Sequence, residues 1–208
     1  VNPQSDRYAV ALGDGSTETL APGASLALVG ARAEALVQAF AEQTAAALLL
    51  ADPADALHAG FAVADQIAAV FPGTRRAALD RATDLLELVG VPEPHHRVRA
   101  RPHQLGRLDR QRVQLALVLA ATPALIVAED PTAGLDETEA AAFATLLGRL
   151  HVRLGFTLVV CTQQLEAAGR LVDEIIVLNE HGAMIERRRR RRPRGAPGSG
   201  AQSSPSST

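Results

Sequence analysis

The chain has 208 residues, enough for one domain with a small subdomain and a sizeable buried core. Hydrophobic residues make up 47% but aromatics only 3%, and all 21 basic residues are arginine; this excludes an aromatic-rich core, Schiff-base chemistry and any phosphate-binding lysine. The formal charge of −2 conceals seven arginines in 187–194; the other 14 face 23 acids, so the body is near −9, a poor match for nucleic acid, and no specific nucleic-acid partner is expected.

Along the chain, "YAVAL" (8–12) allows a strand, and "GDGS" after it reads as a turn. "SLALVG" (25–30) reads as a buried strand and 32–46 as an Ala-rich helix. "LLLADP" (48–53) ends a short strand at a proline. From 54 to 104 the pattern is helical, with breaks at "FPGT" and "VPEP". Within it, "RRAALDRATDLLELVG" places Leu79, Leu85, Leu86 and Val89 on one face, with Thr74 as N-cap and Gly90 as stop. Residues 107–121 form another apolar helix, ended by "TP". "ALIVA" (124–128) is fully apolar, as in a parallel sheet covered on both faces. Asp136 and Glu139 have capping-box spacing ahead of a helix carrying Phe143, Leu146, Leu147 and Leu150. "FTLVVC" (156–161) is the next buried strand, and Cys161 at its end reads as a small buried hydrophobe. A short helix and a hairpin, "EIIVL" to "AMI" around "NEHG", close the domain. Strands alternating with helices predict an α/β fold.

The single cysteine excludes an intramolecular disulfide and points to a reducing compartment. No stretch approaches the ~18 uncharged apolar residues of a membrane span, and residues 1–30 lack the basic and apolar regions of a signal peptide. Residues 1–186 read as the folded domain, with a helical subdomain at about 53–121. From Arg187 onward, arginine gives way to Pro, Gly, Ser and Gln, a composition that predicts a disordered tail over 187–208. That tail is read either as a contact for anionic lipid or polyanions or as a solvated terminus.

The stretch "RPHQLGRLDRQRVQLALVLAATPALIVAEDPTAGLD" resembles the ATP-binding-cassette (ABC) transporter ATPases, and within them the peptide/nickel importer branch. There the family carries "PHQLSGG-x-x-QR", an apolar helix, an apolar strand and "DEPT-x-x-LD". "FTLVVCTQQLEAAGRLVDEIIVLNEHGAMIE" is similar to the family's last strand, its switch motif "THD" and its closing hairpin. "LLLADPADALHAGFAVADQIAAV" is similar to the segment after the Q-loop. The resemblance covers roughly 25–186 with the motifs in order. It implies an α/β P-loop NTPase-like ABC ATPase core with a helical subdomain, truncated at the nucleotide-binding edge. The truncation is read from the short span between Phe40 and Leu48, which leaves no room for the family's antiparallel strands and base-contacting region.

Each catalytic position departs from the family pattern. The phosphate loop G-x-x-G-x-G-K-[ST] aligns with Gly30, Ala31, Arg32, Ala33, Glu34, Ala35, Leu36 and Val37. Such a loop needs glycines so that backbone N–H groups wrap the phosphates, a lysine on the terminal oxygens and a hydroxyl on Mg²⁺. Leu36 has no charge, Val37 no hydroxyl, and Glu34 sits where the helix dipole favours a phosphate. Arg32 is the one substitute cation in the loop. The Q-loop position is Ala51. The signature serine and glycines become Gly106, Arg107 and Leu108, with Arg107 read as a solvated charge at a helix start. The Walker B pair is transposed, with Glu129 on the metal side, a weak metal ligand, and Asp130 at the catalytic position. Gln163 replaces the switch histidine. Gln111, Arg112 and the D-loop Asp136 are retained.

Outside these motifs, Tyr8 reads as a strand tyrosine, with adenine stacking as the alternative. His95 and His96 lie in a Pro-bounded loop without metal-ligand spacing, and His151 reads as surface. The resemblance implies MgATP as cofactor, although the residues supply no firm site for it. It also implies a permease subunit and a partner ATPase subunit as partners, and a cytoplasmic place at the inner face of the plasma membrane. The leading reading is a non-hydrolysing ABC subunit that docks to a permease or partner ATPase. A weak ATPase using Glu129, Asp130 and Arg32 is the alternative, and a soluble regulatory or decaying module is the third.

Overall fold

The computed structural model describes residues 7–189. Its centre is a six-stranded sheet of strands β3 (Ser25–Val29), β4 (Ala47–Leu49), β5 (Leu125–Glu129), β6 (Thr157–Thr162), β7 (Glu174–Leu178) and β8 (Met184–Arg189), in the order β4-β5-β6-β3-β7-β8. All neighbours run parallel except β8, which returns antiparallel to β7 through the hairpin. A separate two-stranded ribbon pairs β1 (Tyr8–Ala11) with β2 (Thr17–Leu20) around the "GDGS" turn. The sequence marks that turn, but the second strand, "TETL", carries too little hydrophobic alternation to stand out.

Alternation along the strands divides the interior into two layers, because successive side chains face opposite sides of a sheet. Ala27, Val29, Ile126, Ala128, Leu158 and Val160 face one layer, under helices α6 (Arg107–Ala120), α7 (Glu137–Leu154) and α8 (Leu165–Leu171). Leu26, Leu28, Leu125, Val127, Val159 and Cys161 face the other, under helix α1 (Ala33–Gln43) and the β1–β2 ribbon. Coverage of both faces explains the unbroken apolar runs at 26–29 in β3, 125–128 in β5 and 158–161 in β6.

Between β4 and α6 the chain builds a helical arm from α2 (Pro53–Ala56), α3 (Val63–Ala68), α4 (Arg75–Leu88) and the one-turn α5 (Pro94–Arg97). Helix α4 starts at Thr74, whose hydroxyl accepts from the Ala77 N–H at 3.3 Å, and is followed by Gly90 at φ 74°. Its apolar face does not form an open groove. Leu86 and Val89 are fully buried, and Leu79 and Leu85 pack half-buried against the same core.

Three expectations are corrected here. His151 is not on the surface: it is 4% exposed, and its Nδ1 lies 2.8 Å from the Phe156 carbonyl oxygen just beyond the helix end. His95 and His96, read as loop, form the middle of α5, although both side chains are exposed. The boundary set at 186 also falls short of the ordered strand. Strand β8 runs through Arg187, Arg188 and Arg189, because Arg187 pairs with Glu18 and Glu174, and Arg189 with Glu174 at 3.2 Å. The remainder of the expected tail, 190–208, lies outside the described residues.

Candidate nucleotide edge

The loops that leave the C-terminal ends of β3, β4, β5 and β6 enclose a cavity of about 180 Å³. Ligands of open α/β sheets bind at this end, outside the carboxyl ends of the strands. The fold brings Gly30, Glu34, Ala51, Glu129, Asp130 and Gln163, positions that the family resemblance singles out, together there. It adds Cys161 and Thr162, which the sequence reading left out; their place at the end of an apolar strand beside the switch position was the available signal.

Gly30 makes the turn from β3 into α1. Its φ is 143°, and a Cβ there would lie 2.7 Å from the Leu178 carbonyl oxygen, so only glycine fits. The Gly30 N–H donates to the Thr162 carbonyl at 3.3 Å, and the Ala33 N–H to the Gly30 carbonyl at 3.0 Å. Two backbone donors of this turn are thus committed within the protein. Arg32 points away from the cavity: its Nε donates to the Glu180 carbonyl at 3.3 Å, in the β7–β8 hairpin. Leu36 packs half-buried in the ribbon-side core and Val37 is fully buried there. Neither lines the cavity, because helical geometry turns positions 36 and 37 inward once 33–43 coils directly from the strand.

Asp130 follows β5 with φ 33°, a left-handed conformation that Asp tolerates better than most residues. The Thr162 hydroxyl donates to its Oδ1 at 3.1 Å and accepts the Gln164 N–H at 3.1 Å, tying the Walker B end to the switch loop. Glu129 is half-buried, and Glu34 and Gln163 are exposed at the rim. The three lining carboxylates make the cavity negative, and among the described residues no arginine or histidine lines it. Cys161 reports that field. Burial pushes its thiol up to about 12, and the charges of Glu129, Glu34 and Asp130 push the same way against a hydrogen bond to the Asp130 backbone. It stays a neutral thiol at physiological pH and is a poor nucleophile.

The signature and D-loop positions serve the interior. Gly106 caps α6, and Leu108 packs half-buried on the core. Arg107 is not a solvated charge. Its Nε donates to the Ala133 carbonyl at 3.0 Å and its Nη2 to the Ala51 carbonyl at 3.5 Å, joining the signature, D-loop and Q-loop positions. It passes so close to Gly134 that a Cβ there would lie 2.6 Å from Nε. Gln111, 2% exposed, donates to the Leu50 carbonyl at 3.2 Å. Gln114, one turn further on, is fully buried. With its amide nitrogen toward Leu50 it donates to the same carbonyl at 3.1 Å, and its oxygen accepts the Leu50 N–H at 2.7 Å. The sequence reading passed over Gln114, although the i, i+3 spacing from Gln111 puts both on one helix face. Asp136 caps α7, accepting from the Glu139 N–H at 2.8 Å, while Glu139 accepts from the Asp136 N–H at 3.3 Å. Among the described residues no group of three or more His, Cys, Asp or Glu is arranged to hold a metal ion.

This sheet order, helical arm and strand-end cavity define the class: the chain has the fold of an ABC ATPase cassette. It superposes on cbiO1 of Clostridium perfringens, part of the ABC transporter complex cbiONQ, with a TM-score of 0.71 at 18% identity, covering 83% of this chain and 80% of that one. On an ATP-binding cassette in a dimeric post-hydrolysis state bound to ADP and Pi, the TM-score is 0.68 at 17% identity, covering 89% and 96%.

In sequence the chain is similar to ATP-binding proteins of peptide-transport systems. The dipeptide transport ATP-binding protein DppD of Haemophilus influenzae is 35% identical over 136 residues, 64% of this chain and 41% of that protein. The oligopeptide transport ATP-binding protein OppD of Bacillus subtilis is 34% identical over 135 residues, 63% and 38%. The chain therefore spans about two fifths of the length of these curated relatives. No family model matches it.

Proposed function

We propose that the chain is an ABC subunit of a peptide/nickel-type importer that no longer hydrolyses ATP and acts by docking to a permease or a partner ATPase. The observation that carries this reading is the sign of the strand-end cavity: among the described residues three carboxylates line it and no cationic side chain does. A triphosphate brings several negative charges and needs donors or cations aimed at them. The Arg32 guanidinium is spent on the hairpin and the Arg107 guanidinium on two carbonyls. The volume of about 180 Å³ is also below the roughly 300–1,000 Å³ of ordinary small-molecule clefts. The residues present do not fit MgATP, and no catalytic step is derived through it.

Docking is supported by what remains. The helical arm keeps a packed core, and Phe61 and Val70 stand exposed on it at 57% and 41%. Leu86 is fully buried, so a charge there would test folding; Phe61→Glu tests the surface. The peripheral place at the inner membrane face follows from the permease in this reading; among the described residues no helix is long and apolar enough to cross a membrane.

Calorimetric titration with MgATP tests the first half of the proposal. No saturable heat is expected, and a dissociation constant below ~100 μM, about 5.5 kcal/mol of binding, would overturn it in favour of the weak ATPase. Co-purification with a permease, weakened by Phe61→Glu in a normally folded variant, tests the second half. If the folded chain retains neither permease nor ATPase partner, it is a module without a transporter.

A further inference from the structure

The opposite end of the sheet has the opposite charge. Where β3 and β7 begin, the C-terminal half of α7 and the end of α8 border an open cleft of about 570 Å³. Arg149 and Arg153 enter it from α7, one turn apart on one face, and Arg170 enters from α8. None of the three has an ion pair or side-chain hydrogen bond among the described residues. Elsewhere Arg75, Arg97, Arg112, Arg187, Arg188 and Arg189 each meet a carboxylate, while exposed Arg76, Arg99 and Arg101 form no ion pair among the described residues. What sets the cleft apart is the convergence of three such arginines on one concave surface. Like charges at i, i+4 on a helix repel, and three guanidinium groups around one cleft cost stability unless an anion lies between them. Asp173 is the one carboxylate in the lining, and its backbone N–H is anchored by the Ser25 hydroxyl at 3.0 Å. The floor is kept low by Gly148 in the middle of α7, where a Cβ would sit 3.9 Å from the Arg170 and Leu171 carbonyl oxygens. A helix interior disfavours glycine by about 1 kcal/mol against alanine, so the open floor has a cost of its own.

We propose that this α7–α8 cleft is a binding site for a small soluble polyanion, bridged by Arg149 and Arg153 from one helix and Arg170 from the other. Guanidinium groups take phosphate and carboxylate oxygens alike in forked, charge-assisted hydrogen bonds. The volume lies in the range of small-molecule clefts, and exposed Val152 adds apolar contact at the wall. The site is independent of whether the nucleotide edge binds MgATP.

Calorimetric titration of the full chain at low ionic strength, with inorganic pyrophosphate and separately with citrate, tests the inference. Saturable binding of at least one is expected, and the stronger of the two identifies phosphate or carboxylate as the recognised group. The triple variant Arg149→Ala, Arg153→Ala, Arg170→Ala weakens binding by at least about tenfold. Gly148→Leu keeps every charge but fills the floor, and weakens binding by a similar factor; Thr145→Leu, on the exposed side of α7, makes the same test should Gly148→Leu fail to fold. Absence of saturable heat with both probes overturns the site. Binding that survives the triple variant places the anion on other arginines, and binding that survives filling the cleft reduces it to surface charge; either result also overturns it.

Discussion

The two ends of the parallel sheet differ in charge and in how their residues are held. At the C-terminal ends of the strands, three carboxylates surround a small cavity whose loops are tied to the interior by Gly30, Thr162, Arg107, Gln111 and Gln114. At the N-terminal ends, three arginines without an ion pair among the described residues border a cleft about three times larger. The loops at the motif positions are woven into the fold, and their hydrogen bonds hold them whatever chemistry they perform. The cleft is free to vary, because no packing depends on its charges.

That contrast predicts unequal costs of substitution. The largest belongs to Gly30→Ala: a Cβ at 2.7 Å from a backbone oxygen, on a residue at φ 143°, should destabilise the chain by about 3 kcal/mol in urea unfolding. A near-neutral result would mean that the turn is not rigidly held. Gln114→Leu leaves the Leu50 N–H without its buried acceptor, while the Leu50 carbonyl keeps Gln111, and should cost about 2 kcal/mol by the same measurement. Asp136→Ala removes a capping box and should cost about 1 kcal/mol, with Asp136→Asn close to neutral.

The buried thiol makes the carboxylate edge sensitive to pH. The folded chain holds Cys161 near 12 against an ordinary value of 9.0, so the unfolded chain loses this proton first. The contribution is complete below pH 9 and is lost as pH rises toward 12, by about 1 kcal/mol at pH 10. The melting temperature should therefore fall above pH 9 in the native chain and fall less steeply in Cys161→Ala. The smallest effect belongs to the other end of the sheet. The triple arginine variant should change unfolding free energy by no more than about 0.5 kcal/mol, since surface charges without partners contribute little. A loss of several kcal/mol would show that these arginines hold the fold, and the contrast between the two ends would collapse.

Most of the architecture was legible along the chain. Fully apolar runs at 26–29, 125–128 and 158–161 announce strands covered on both faces, and capping residues Thr74 and Asp136 place two helix starts. These signals are local, carried by a handful of consecutive residues. The candidate site was legible as a set of positions, because motif spacing brings Gly30, Glu34, Ala51, Glu129, Asp130 and Gln163 to one edge. What each side chain does there was not. Arg107 reads as a solvated charge until the D-loop and Q-loop carbonyls are found beside it, and His151 reads as surface until Phe156 folds back over it.

By itself the sequence determined the element order, the two-faced sheet and the absence of lysine from the chain, since periodicity and residue type act within a few residues. Only the tertiary structure decided that Arg32 turns to the hairpin, that Leu86 lies in the core, and that unpaired arginines from two helices meet across one cleft. Those outcomes depend on contacts between segments distant in the chain, and such contacts leave no periodic trace in either segment alone.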